Sequence, residues 1–147
     1  MSKTLIICHV VFTTKGRRPV LNPDKDRELY SFFYSILKKN NCWTYRINGM
    51  TDHVHLLFDL TSSITLADLI KELKIDSHKW LSKNEYFPNF TGWGVGYFAV
   101  SVSPREKESV IDYIINQKIH HAGKDSLTEI EDLINENGMK WFIDDWI

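Results

Sequence analysis

"WTYRINGMTDHVHLLFDL", Trp43 to Leu60, reads as two β-strands joined by a short turn, and that reading decides the fold. Trp43, Tyr45 and Ile47 alternate with Thr44, Arg46 and Asn48 in the first strand, and Gly49 to Asp52 is just long enough to reverse the chain. In the second strand residues i and i+2 share a face, so His53 and His55 project together while Val54 and Leu56 point into the core. The hairpin thus presents a pair of imidazoles on one side of a sheet.

The flanking segments extend the pattern. Thr4 to Thr13 is rich in β-branched residues and reads as a strand, followed by the basic loop "TKGRRPVLN". A helix then begins near Asn22 as cap and Pro23 in the first turn, with Leu29, Phe32, Phe33, Ile36 and Leu37 as its apolar stripe. After the hairpin, Thr65 and Asp68 have capping-box spacing at the head of a helix with Leu66, Leu69, Ile70, Leu73, Trp80 and Leu81 in period. "YFAVSVS" is a fourth strand, and "SPRE" opens a third helix with Ser103 as cap and Glu106 closing a capping box. The order β-α-β-β-α-β defines an α+β, ferredoxin-like split βαβ fold: a four-stranded antiparallel sheet, two helices on one face and the other face available. An additional helix carries Tyr113, and an acidic C-terminal helix and tail run from about residue 125. No linker or repeat divides the 147 residues, so one domain is expected.

Composition excludes several classes. No apolar run approaches the roughly 18 residues of a membrane span, and "LIICHVVF" near the start lacks a cleavage pattern and reads as a strand. Cys8 and Cys42 have no zinc spacing and read as buried thiols of a reducing cytosol. The net charge of -1 conceals an asymmetry: residues 1–124 carry +5 and residues 125–147 carry -6. A mildly basic body is compatible with a polyanion site, and equally with solvated surface charge.

In "SPREKESVIDYIINQKIHH" Ile111, Ile114 and Ile115 fall on one side of a helix, while Tyr113, Gln117 and His120 share a polar arc. Two imidazole nitrogens and the Gln117 amide oxygen supply three ligands for a divalent cation, leaving positions for phosphate oxygens. Tyr113, one turn from Gln117, is then placed to attack a polarised phosphodiester. Strand histidines also serve as ordinary hydrogen-bonding residues; it is the presence of Tyr113 and Gln117 that favours the metal reading.

These residues resemble a known family. "DHVHLL" and "YIINQKIHH", with "HVVFTTKGRRPVL" before them and "GYFAVSVS" between them, look like the small single-strand DNA transposases of the insertion-sequence-200-like class, over His9 to His121. Thr51 stands where many relatives have proline. The resemblance implies a prokaryotic cytosolic enzyme that nicks and rejoins single-stranded DNA beside a hairpin through a covalent 5'-phosphotyrosine. Tyr113 would be the nucleophile, with His53, His55 and Gln117 around Mg²⁺ or Mn²⁺. It also implies a homodimer, since relatives work as dimers in which the tyrosine helix of one subunit completes the site of the other, and it admits a catalytically idle or domesticated hairpin-binding protein as the alternative.

Other candidates stay open between two readings. Lys15, Arg17 and Arg18, with Lys71 and Lys74 on the second helix, are either solvated charge or phosphate contacts. Tyr86, Phe87, Phe90 and Trp93 either stack on unpaired bases or, more simply, anchor a long loop. His120 and His121 read as structural or as supports of the site. The apolar "MKWFIDDWI" is expected to dock on the body or on a second subunit.

Overall fold

The computed structural model describes residues 1–120 and 125–139. His121 and the apolar C-terminal stretch from residue 140 onward therefore lie outside the described residues, as do the contacts expected of them. Strands β1 (Ile7–Thr13), β2 (Trp43–Gly49), β3 (His53–Asp59) and β4 (Phe98–Ser101) form one antiparallel sheet in the order β2-β3-β1-β4. This is the split βαβ arrangement expected from the sequence. β1 is central and buried along its whole length, which explains its nearly continuous apolar run.

Helices α1 (Asp26–Lys39) and α2 (Leu66–Ser82) cover one face. Val10, Phe12, Val54, Leu56 and Phe58 of the sheet pack there against Leu29, Phe33, Ile36, Leu37, Leu69, Ile70 and Leu73. Burying each such side chain contributes about 1.5–3 kcal/mol relative to leaving it in water. The Thr65 hydroxyl caps α2 by accepting from the Asp68 N–H at 3.1 Å, as its spacing predicts. Asn22 instead folds into a local turn, its Oδ1 accepting from the Asp24 N–H at 2.9 Å, and α1 starts four residues later.

The long loop after α2 is tied down by its aromatics. Phe87 and Phe90 are buried in the core, and the Trp93 ring meets Phe12 edge-on at 4.9 Å while its Nε1–H donates to Ser77 Oγ. Of the four aromatics proposed for stacking, Tyr86 alone is exposed, with the Lys25 ammonium 4.3 Å from its ring.

The second face of the sheet is not available. Three helices cover it: α3 (Lys107–Ile115), the single turn α4 (Gln117–His120) and α5 (Ser126–Glu136). Ile114 packs on Ile7 and Leu57, and Ile130, Leu133 and Ile134 pack on Val11 and Phe98. The helix expected to run through to His121 is interrupted at Asn116, and Ser103 does not cap its backbone; the Ser103 hydroxyl meets the Glu106 carboxylate instead. In β2 a bulge inserts Tyr45 between Thr44 and Arg46, which oppose Phe58 and Leu57. Strict alternation therefore fails there: Ile47 faces the α1–α2 core, whereas Tyr45 lies against the Ile7–Leu57–Ile114 cluster.

Candidate active site

Register places the histidine pair at the centre of the second face, His53 opposite Thr13 and His55 opposite Val11, both fully buried. The hairpin that delivers them is tight: a Cβ on Gly49 would collide with the His53 carbonyl oxygen. Each ring is held at its Nδ1 side. His53 Nδ1 lies 2.7 Å from Asp52 Oδ1, and His55 Nδ1 lies 2.9 Å from His9 Nε2. Both Nε2 atoms are thereby directed at one point, the arrangement in which an outer carboxylate or imidazole fixes the tautomer of a metal-binding histidine.

The break at Asn116 aims Gln117 at the same point. Asn48 Nδ2 donates to the carbonyls of Ile114 and Ile115 at the end of α3. The Lys118 ammonium reaches Asn48 Oδ1, the Gly49 carbonyl and Asp26 Oδ2, binding α4 to the hairpin and to α1. Gln117, fully buried, then brings Oε1 to 3.4 Å from His53 Nε2. Among the described residues its Nε2 has no hydrogen-bond partner.

Tyr113 enters from α3, its ring centroid 5.7 Å from that of His55 and 6.3 Å from that of His9. Its hydroxyl donates to Glu129 Oε1 at 2.6 Å, and the same oxygen lies 2.8 Å from His55 Nε2, while Glu129 Oε2 lies 3.8 Å from His53 Nε2. Glu129 belongs to α5, whose first turn is fastened by the Ser126 hydroxyl donating to Asp52 Oδ2 at 2.6 Å and by Asp125 accepting from the Thr128 N–H. One chain thus brings together Tyr113, Gln117, His53 and His55.

Electrostatics follow from burial and from this contact set. Burial works to raise the Glu129 carboxyl, but its hydrogen bond and charge interaction with His55, with Tyr113 and His53 beyond, outweigh it and hold the group below the carboxylate range. Burial, then the Glu129 carboxylate, pushes the Tyr113 hydroxyl above its ordinary value. Burial, then the neighbouring His55, pushes His9 down to about 3, so His9 stays neutral and its Nε2 can accept from His55.

The donors fit a small divalent ion. Ligand atoms of His53, His55 and Glu129 lie within 4.8 Å of one another. Ligands about 2.1 Å from an octahedral ion sit roughly 3.0 Å apart when adjacent and 4.2 Å when opposite, and the observed separations of 2.8, 3.4 and 3.8 Å fall close to that range.

The remaining predicted residues are dispersed. Lys15 and Arg17 form a 3-10 turn (Lys15–Arg17) and line a cleft of about 950 Å³, together with His78, the segment 91–98 and Ile134. Arg18 lies outside that lining, and Lys71 is exposed on α2. Lys74 donates to the carbonyls of Gly94 and Gly96, so it secures the cleft's own loop. His120 ends α4. Sequence reasoning missed Asp52, His9, Glu129, Asn48 and Lys118. Asp52 adjoins the motif and His9 shares a strand face with Val11, signals that were present; Glu129 sits one residue before Ile130 in an amphipathic run.

A split βαβ sheet bearing a buried His-x-His pair opposed by a tyrosine helix defines a class, and sequence comparison agrees. The chain belongs to the family described as transposase IS200 like, whose match spans residues 2–117. Among solved structures it is similar to a candidate transposase from Deinococcus radiodurans R1, with 25% identity over 79% of this chain and 93% of that one and a TM-score of 0.59. It shares its fold with a REP-associated tyrosine transposase bound to a REP hairpin, at 13% identity, covering 82% of this chain and 73% of that one with a TM-score of 0.61. No curated protein matches the chain in sequence. No helix among the described residues is long and apolar enough to cross a membrane.

Proposed function

We propose that the chain nicks and rejoins single-stranded DNA beside a hairpin, with Tyr113 as nucleophile. The observation that carries the reading is the convergence, within one chain of an IS200-like transposase, of Tyr113 and Gln117 on the His53–His55 pair. His53, His55 and Gln117 would hold Mg²⁺ or Mn²⁺, which supplies polarisation of the scissile phosphate. Asp52 and His9 orient the two imidazoles, and Asn48 and Lys118 fix the turn that presents Gln117. The Tyr113 oxygen attacks phosphorus and gives up its proton to solvent, the bond to the 3'-oxygen breaks and that oxygen takes up a proton to leave as a 3'-hydroxyl, and the 5'-phosphate remains on Tyr113; the Glu129 carboxylate at 2.6 Å orients the attacking hydroxyl. A later attack by a 3'-hydroxyl reverses the step without ATP, because the phosphodiester energy is kept in the phosphotyrosine.

The cleft beside Lys15 and Arg17 borders the site through Thr13, Phe98 and Ile134 and suits an unpaired strand approaching Tyr113. Hairpin recognition is inferred from the hairpin-bound neighbour. Since one chain holds the complete set, the homodimer expected for the family would be a pair of complete sites, and light scattering at twice 17.3 kDa would establish it.

The test is a denaturing gel of the protein mixed with hairpin-bearing single strands and Mn²⁺. A covalent adduct is expected from the native chain, none from Tyr113→Phe despite retained binding, and little from His53→Ala or after chelation. Hairpin binding without any adduct from the native chain would instead support the idle hairpin-binding alternative.

A further inference from the structure

We infer that Glu129 is the anionic ligand of the metal site and also the residue that seats the Tyr113 hydroxyl beside it. This rests on the reading of His53, His55 and Gln117 as metal ligands and adds one from outside the family match, which ends at residue 117.

The neutral set leaves a charge problem. Two imidazoles and an amide bring no negative charge to a divalent ion in a fully buried position, where an uncompensated charge is strongly disfavoured. Glu129 supplies it. The residue is 4% exposed, although Glu136, two turns further along α5, is solvent-facing and a surface carboxylate would have been available at no desolvation penalty. Its two oxygens reach 2.8 Å from His55 Nε2 and 3.8 Å from His53 Nε2, the nitrogens left facing the site once Asp52 and His9 have taken the Nδ1 sides. Ile130, Leu133 and Ile134 dock the helix on Val11 and Phe98, and Ser126 fastens its start to Asp52, the residue that orients His53. The carboxylate is therefore delivered by a braced element and shares a support with the histidine it joins.

The second role follows from the shared oxygen. Oε1, which faces His55, also accepts the Tyr113 hydroxyl at 2.6 Å, so the nucleophile is held one hydrogen bond from a metal ligand. Metal binding, docking of α5 and placement of the tyrosine then become one event.

Mn²⁺ titration by calorimetry of the native chain, Glu129→Gln and His53→Ala tests this, together with amide exchange of α5. The native chain is expected to bind one Mn²⁺ and His53→Ala none. Glu129→Gln, which keeps an acceptor for Tyr113, should bind at least about tenfold more weakly. Amides from Ile130 to Ile134 in the native chain should exchange more slowly once Mn²⁺ is added. Affinity in Glu129→Gln equal to or above native, or α5 amides that exchange at the same rate or faster with Mn²⁺, would overturn the inference while leaving the His53 site standing. If the native chain binds no Mn²⁺, the metal reading falls and the role of Glu129 falls with it. Should Glu129→Gln fail to fold by circular dichroism, the exchange measurement on the native chain decides alone.

Discussion

Replacing Asp52 by alanine separates the support of the site from its ligands. Among the described residues the carboxylate meets His53 Nδ1 at 2.7 Å and the Ser126 hydroxyl at 2.6 Å, and its side chain is one-fifth exposed. Hydrogen bonds to charged groups contribute about 1.5–3 kcal/mol when buried, so two partly solvated ones together amount to about 2–3 kcal/mol of stability. For a chain of this size that lowers Tm by roughly 4–10 °C. Loss of a residue that orients a metal-binding histidine should separately weaken metal affinity by about 10- to 100-fold. Asp52→Asn keeps an acceptor oxygen for His53 and should weaken binding less. Melting curves in chelator give the first effect, and Mn²⁺ calorimetry below the melting range gives the second. If Asp52→Ala melts lower yet binds Mn²⁺ as tightly as the native chain, the Asp52–His53 contact is a brace of the fold only, and the orientation argument is wrong.

Other outcomes follow from the same geometry. His9 is held down at about 3 in the fold against an ordinary 6.5, so below pH 6.5 the unfolded chain takes up a proton that the folded chain refuses; stability should fall as pH drops from 6.5 toward 3. In His9→Phe the loss of Tm between pH 7 and pH 4 should be smaller than in the native chain, and an equal loss would remove His9 as its source. Gly49→Ala should destabilise the hairpin, because its Cβ meets the His53 carbonyl, and should fail or melt several degrees lower in a thermal scan. Lys15→Ala and Arg17→Ala should each weaken single-strand binding and reduce the salt dependence of affinity by roughly one unit of log–log slope; unchanged slopes would place the strand outside that cleft.

What could be read in advance tracks what is local. The strand parity of His53 and His55, the Thr65 cap and the element order depend on neighbours two to four residues apart, and all of them hold in the fold. The bulge at Tyr45 does not depend on β2 alone, and alternation in the sequence gives no warning of it. "YIINQKIHH" has no helix breaker, so the interruption at Asn116 is legible only once Asn48 and Lys118, some 70 residues apart in sequence, are seen to meet. Glu129 was hidden by its context: in a segment of -6 charge a glutamate reads as solvated, although Ile130, Leu133 and Ile134 at helical spacing marked the buried side of α5. The second sheet face reads as open because neither the tyrosine helix nor the acidic C-terminal helix carries a local signal of which surface its apolar side packs on.

The central claim is that Tyr113 carries the broken strand, and mass spectrometry of the trapped adduct tests it most directly. The native protein is incubated with hairpin-bearing single-stranded DNA and Mn²⁺, denatured, treated with nuclease and protease, and the peptide bearing the nucleotide is sequenced. The nucleotide phosphate is expected on Tyr113, in the peptide that ends at Lys118. A phosphate found on any other residue, or cleaved DNA with no modified peptide, would contradict the account.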